Sequence, residues 1–232
     1  MVKPKPGASD YERYIQTEAL LKLQKEPSAL SNPDELMFIT VHQSMELWCK
    51  VAHFEIQNAV GFLDESNYFR SAKHLKRAAD AISYTTKAFP IMLSMAQADY
   101  HHIREGLGRG SGRDSPGFQK LLKETRELLW PHLSRALERE KIGNLIEIYK
   151  KPHDVKFSGL YAVLDGMLSV DRDFQTFRYL HLQMARTEIG LAVKSLKGIP
   201  AARMIDGVIK PFFPELWEVI EDFTEFTNIS YG

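Results

Sequence analysis

Residues 34–50 read DELMFITVHQSMELWCK. Phe38, Val41, His42, Met45, Cys49 and Ala52 recur at helical spacing, so they share one side of a helix. The start is well marked. Asn32 can cap, Pro33 suits the first helical position, and Glu35 stands three residues on to close a capping box. Leu36, Ile39, Leu47 and Val51 give a second apolar face, which predicts an interior helix of an all-helical domain. His42 is isolated on the first face. A histidine there is either a core imidazole satisfied by a hydrogen bond or a polar group aimed into an apolar ligand pocket.

The bulk properties narrow the field. A chain of 232 residues fits one domain. Lys plus Arg equals Asp plus Glu, 30 against 30, and no basic patch dominates, which argues against nucleic acid as a partner. The opening MVKPKPGASD lacks the apolar run of a signal peptide, and no stretch approaches the ~20 apolar residues of a membrane span. One cysteine cannot make an internal disulfide, and a cytoplasmic location is the natural expectation.

The remaining signals are nearly all helical. Helices are expected over residues 10–25, 33–63, 66–88, 91–105, 117–140, 157–170, 172–195, 199–209 and 214–227, with a polar connection near Lys150–Asp154. No alternating pattern lasts long enough for a sheet, so the fold class is all-α, a helix bundle. The stretch GLGRGSGRDSPG at 106–117 reads as a glycine-rich loop. It lacks the preceding strand and the GK[ST] ending of a phosphate loop, which excludes that motif.

Two further constellations carry chemistry. Tyr100 and Arg104 are four residues apart and project from one helical face. A guanidinium beside a phenol suits a carboxylate ligand, although a surface arginine beside a half-buried tyrosine would show the same spacing. His101 and His102 are neighbours about 100° apart on a helix, so they do not easily ligate one ion together. Farther on, Phe174, Phe177, His181, Met184 and Ala185 form a helical stripe with a second isolated histidine. Two such histidines on separate long helices are either core residues or what a haem pocket needs, one as axial ligand and one on the opposite side. Cys49, mid-helix with apolar neighbours and no positive partner, reads as a small core residue.

The segments YERYIQTEALLKLQ (11–24), DELMFITVHQSMELW (34–48), DYHHIREGLG (99–108), SPGFQ (115–119), VDRDFQTFRYLH (170–181) and FFPELWEV (212–219) share their order and spacing with one family. The chain resembles the tryptophan 2,3-dioxygenases and related histidine-ligated haem-dependent aromatic oxygenases over most of its length outside about 121–167. The resemblance implies a single domain over 1–232, a helix bundle enclosing haem b, and a homo-oligomer, dimer or tetramer. It implies O2 as co-substrate and an aromatic amino acid, tryptophan, whose indole ring is opened to N-formylkynurenine. By position, His181 resembles the axial ligand of the haem iron, with Phe89 and Phe177 beside the cofactor. His42 resembles the catalytic distal histidine that accepts the indole N–H, and Phe38 would pack on the ring. Arg104 would clamp the substrate carboxylate beside Tyr100, and Tyr11, on an N-terminal arm over 1–30, would reach a neighbouring subunit's site.

The chain departs from the family pattern in its lid. The interval LAVKSLKGIPAARMIDGVIKP (191–211) stands where ring-cleaving members carry GTGGSSG. Ser195 keeps a hydroxyl near the family's threonine, but the glycine run is absent, so the same backbone path is closed to it. Pro116 also alters the start of the SGFQ segment, and the middle of the chain is short. Two alternatives to ring cleavage follow from the altered lid: a monooxygenase acting on a tryptophan, a methylated tryptophan or tyrosine, and a haem sensor without catalysis. Retention of Tyr100 and Arg104 speaks against the sensor.

Overall fold

A computed structural model describes residues 7–108, 110–193 and 201–227. The helices are α1 (Asp10–Ile15), α2 (Thr17–Leu20), α3 (Glu35–Asp64), α4 (Tyr68–Thr86), α5 (Phe89–Met92), α6 (Gln97–Gly106), α7 (Pro116–Arg139), α8 (Ile146–Lys150), α9 (Ser158–Glu188), α10 (Ile205–Val208) and α11 (Pro214–Phe226). Short 3-10 turns occupy Pro27–Ala29, Gly112–Asp114 and Ala201–Met204. No strand occurs among the described residues.

Four long helices make the body. The helix α4 packs against both α3 and α9, and α7 covers the other side of α3. Ile56, Leu63, Leu75, Leu129, Leu133, Leu160, Val163 and Met167 are completely or almost completely buried between them. Each such side chain contributes about 1.5–3 kcal/mol relative to exposure. Small residues set the spacing. A Cβ on Gly166 would stand 2.8 Å from the Leu75 Cβ, and one on Gly159 would stand 3.0 Å from the Tyr68 Cβ. These two glycines lie two turns apart on α9 and let α4 come close.

A smaller apolar cluster sits apart from this core. Phe38, Val41, Met92, Met95 and Ile103 are buried together, with Tyr100 and Met184 packed on them. Its members come from α3, α5, the link that follows α5, α6 and α9. The two clusters therefore divide the molecule into a structural body and an end where His42 and His181 lie.

Several sequence expectations change. The helices expected at 157–170 and from 172 are one continuous helix, α9, because nothing in GMLSVDRDF interrupts the hydrogen-bond ladder, and it ends at Glu188, short of the expected 195. The predicted helix at 10–25 breaks at Gln16, whose backbone is left-handed at φ 57°. The predicted helix at 91–105 is two pieces, with a non-helical link before α6. A short helix, α8, was not foreseen. At the start of α3 the capping register differs. Asn32 Oδ1 accepts from the Asp34 N–H at 2.8 Å, while buried Glu35 accepts from the Ser31 N–H at 2.7 Å and from Lys25. Glu35 thus closes on the residue before Asn32. The second apolar face of α3 is not interior either. Leu36, Leu47 and Val51 are exposed, Leu47 by 52%.

Candidate functional site

The N-terminal half of α3 presents Phe38 and His42 one turn apart, with ring centroids 4.2 Å from each other. His42 is half-buried, and its Nδ1–H donates to the Phe38 carbonyl at 2.7 Å. A carbonyl only accepts, so this bond places the proton on Nδ1 and leaves Nε2 as an acceptor. Burial lowers the His42 pKa, opposed by the bond to Phe38 and by Glu46, so the ring is neutral at pH 7.

The helix α9 supplies His181. Burial, reinforced by the charge His42 would carry, brings its pKa to about 4. The two imidazoles therefore lie near enough to sense each other's protonation, and both are neutral. Phe89 is buried and its ring centroid is 6.4 Å from that of His181, with Phe177 at 6.1 Å on the same ring. Phe118 extends the aromatic wall, 5.4 Å from Phe177. The glycine-rich loop comes down on this histidine: a Cβ on Gly112 would stand 3.4 Å from His181 Nε2.

The helix α6 brings Tyr100 and Arg104. Tyr100 packs in the small cluster, its ring 6.5 Å from that of Phe38. Burial raises the Tyr100 pKa, Arg104 pulls it down, and Glu188 pushes it up. No carboxylate among the described residues forms an ion pair with Arg104. The helix α6 is tied at both sides. Asn32 Nδ2 donates to Asp99 Oδ1 at 2.6 Å, and Gln97 Nε2 donates to the Thr187 carbonyl at 2.7 Å. His101 and His102 are exposed.

The structure thus brings Phe38, His42, Tyr100, Phe89, Phe177 and His181 to one end of the bundle. Tyr11, expected at a neighbouring subunit's site, lies away from this chain's own. Tyr11 is 70% exposed on α1, with no ring contact to the site. Ser195 lies outside the described residues. Pro116 falls at the first turn of α7, where it costs no hydrogen bond, and the Ser115 hydroxyl accepts from the Phe118 N–H at 3.1 Å. Gly117 after it packs so tightly on α3 that a Cβ would stand 2.7 Å from that of Cys49. Burial and Glu46 push the Cys49 thiol up to about 12, consistent with a small core residue.

Two positioning residues escaped the sequence reading. Asp171 is buried and accepts from the Phe212 N–H at 2.9 Å, the Phe213 N–H at 3.1 Å and Trp217 Nε1–H at 3.0 Å. Arg178 donates to the carbonyls of Gly207 at 2.7 Å and Lys210 at 2.6 Å, its guanidinium 4.7 Å from the Phe174 ring centre. Both come from α9, Arg178 about one turn and Asp171 about three turns before His181, and both hold the chain that returns to α11. An aspartate and an arginine inside an aromatic stripe were the available signal.

A haem needs a neutral imidazole to ligate and apolar surface for its ring. His181 meets the first demand by its low pKa, and Phe89, Phe118 and Phe177 meet the second. The residues fit the group. No cluster of three or more metal-binding side chains occurs among the described residues, and a single axial histidine does not require one.

The chain is also similar to known proteins over most of its length. A family model described as tryptophan 2,3-dioxygenase matches residues 3–128. The tryptophan 2,3-dioxygenase of Erythrobacter litoralis is 26% identical over 258 residues, covering 90% of this chain and 96% of that protein. The protein of the same name from Herpetosiphon aurantiacus is 24% identical, covering 93% and 98%. That of Shewanella woodyi is 22% identical, covering 90% and 88%.

Proposed function

This chain belongs to the tryptophan 2,3-dioxygenase family, and on that premise we propose that it is a haem-dependent oxygenase that opens the indole ring of L-tryptophan to give N-formylkynurenine. The observation that carries the reading is the fixed tautomer of His42. Its Nδ1–H is committed to the Phe38 carbonyl, so Nε2 accepts, beside an apolar cluster and within electrostatic reach of His181. A histidine held as an acceptor orients an indole N–H; one that donated at both nitrogens would repel it.

His181, with Phe89 and Phe177 beside it, would hold haem b, which when bound would supply the iron that activates O2. The rest is the work of side chains. Phe38 packs on the indole ring, and Met92, Met95 and Ile103 exclude water around it. Arg104 takes the substrate carboxylate through two parallel charge-assisted hydrogen bonds, with Tyr100 beside it. His42 positions the ring, and its lowered pKa suits a neutral acceptor. Exposed Leu47, Trp48, Val51 and Phe54 on α3, with Tyr11 and Tyr14 on α1, support assembly with further copies of the chain. No described helix is long and apolar enough to cross a membrane. We place the protein in the cytoplasm, in keeping with its single free cysteine.

The test is direct. The haem-loaded protein is reduced without oxygen, given L-tryptophan and then O2, and the product is weighed. A gain of two oxygen atoms with formylkynurenine absorption is expected. A gain of one oxygen atom, or turnover only of a substituted tryptophan or of tyrosine, overturns ring cleavage in favour of monooxygenation.

A further inference from the structure

Glu188 ends α9 and has no structural reason to be charged there. It is 5% exposed, and neither carboxylate oxygen has a hydrogen-bond donor among the described residues. A helix C-terminus already carries partial negative charge, so an anion at this end is disfavoured. A buried carboxylate without a partner costs several times what an exposed one does. Its burial raises its pKa, and His101 opposes this only through space, from an exposed position.

Its place on the helix gives the reason. His181, Met184 and Glu188 stand at intervals of three and four residues, on one face of α9. Met184 packs in the cluster of Phe38, Val41 and Tyr100. Glu188 is close enough to Tyr100 for its charge to raise the phenol, and Tyr100 is one turn from Arg104. A cation on α6 and a carboxyl group at the end of α9, neither with an ion-pair partner among the described residues, therefore flank the same phenol. An amino acid carries an anion and a cation on one carbon, so it presents the complementary pair.

We propose that Glu188 receives the α-ammonium group of the substrate in this chain and makes the site select a zwitterionic amino acid over an indole acid lacking the amine. The proposal rests on the tryptophan reading above. The probes are L-tryptophan and 3-(indol-3-yl)propionate, which share the indole and carboxylate and differ in the amine. Their dissociation constants are measured by calorimetry on the ferric haem protein, which does not turn over, for the wild type, Glu188→Gln and Glu188→Asp. The wild type should prefer L-tryptophan by about ten- to a hundredfold, the range of one sheltered charge-assisted hydrogen bond. Glu188→Gln should lose that preference through weaker tryptophan binding alone, and Glu188→Asp should keep part of it. Glu188→Gln should also raise the thermal midpoint, because it removes an uncompensated buried charge.

An unchanged preference in Glu188→Gln overturns the assignment to Glu188 and leaves the tryptophan reading standing. A lowered midpoint marks Glu188 as a structural residue and likewise overturns it. A wild type that binds neither probe removes the tryptophan reading, and this inference with it.

Discussion

Gly112 lies against the Nε2 edge of His181, so that a Cβ at position 112 would stand 3.4 Å from the nitrogen. The loop and the α9 helix thus meet at the atom that a haem iron would use. Gly112→Val should lower haem retention on a desalting column while leaving the helical circular dichroism unchanged. Full retention would show that the loop stands clear of the ligand when haem is bound.

The two histidines should fail differently. His181→Ala should remove or destabilise haem, seen as loss of the Soret band. His42→Ala should keep haem and weaken L-tryptophan binding by about 0.5–1.5 kcal/mol, the worth of one hydrogen bond. Loss of haem in both variants would count against the division of roles.

Arg104 should matter only for ligands with a carboxylate. Arg104→Leu should weaken L-tryptophan by about 2–4 kcal/mol if its clamp is bidentate and sheltered. Indole itself, titrated against the same variant, should bind as in the wild type. Equal losses for both would point to collapse of α6 instead.

Asp171 is a structural linchpin, receiving two backbone N–H groups and the Trp217 indole. Asp171→Asn puts a donor where acceptors are needed and should cost about 2–4 kcal/mol in urea unfolding. The variant should also show a blue- or red-shifted Trp217 emission.

The pH response has a defined sign. His181 binds its proton at about 4 in the fold, against 6.5 for an ordinary imidazole. Between these values the unfolded chain holds a proton that the folded chain refuses. The haem-free protein therefore loses stability as pH falls through this window, by at most about 3 kcal/mol from this group. Thermal midpoints at about pH 7 and about pH 4.5 should show a steeper fall in the wild type than in His181→Leu.

Much of this was legible before the structure. The 3.6-residue stripes in α3 and α9 disclosed both helices and their lone histidines, because a polar ring on an apolar stripe breaks a pattern that is otherwise uniform. The Tyr100–Arg104 spacing placed a phenol and a cation on one face of α6. What stayed hidden depends on tertiary contact. The tautomer of His42 follows from local geometry at Phe38, and the burial of Glu188 from how α6 lies on α9. Neither leaves a mark on periodicity. The exposed second face of α3 misled because apolar residues left on the surface look the same in sequence as core residues.

The two hydrogen bonds of Arg178 and the cluster around Asp171 give the returning chain a fixed landing on α9. The helix that presents His181 thus also moors the C-terminal helix, so a disturbance at Asp171 or Arg178 would travel along one rigid rod to both.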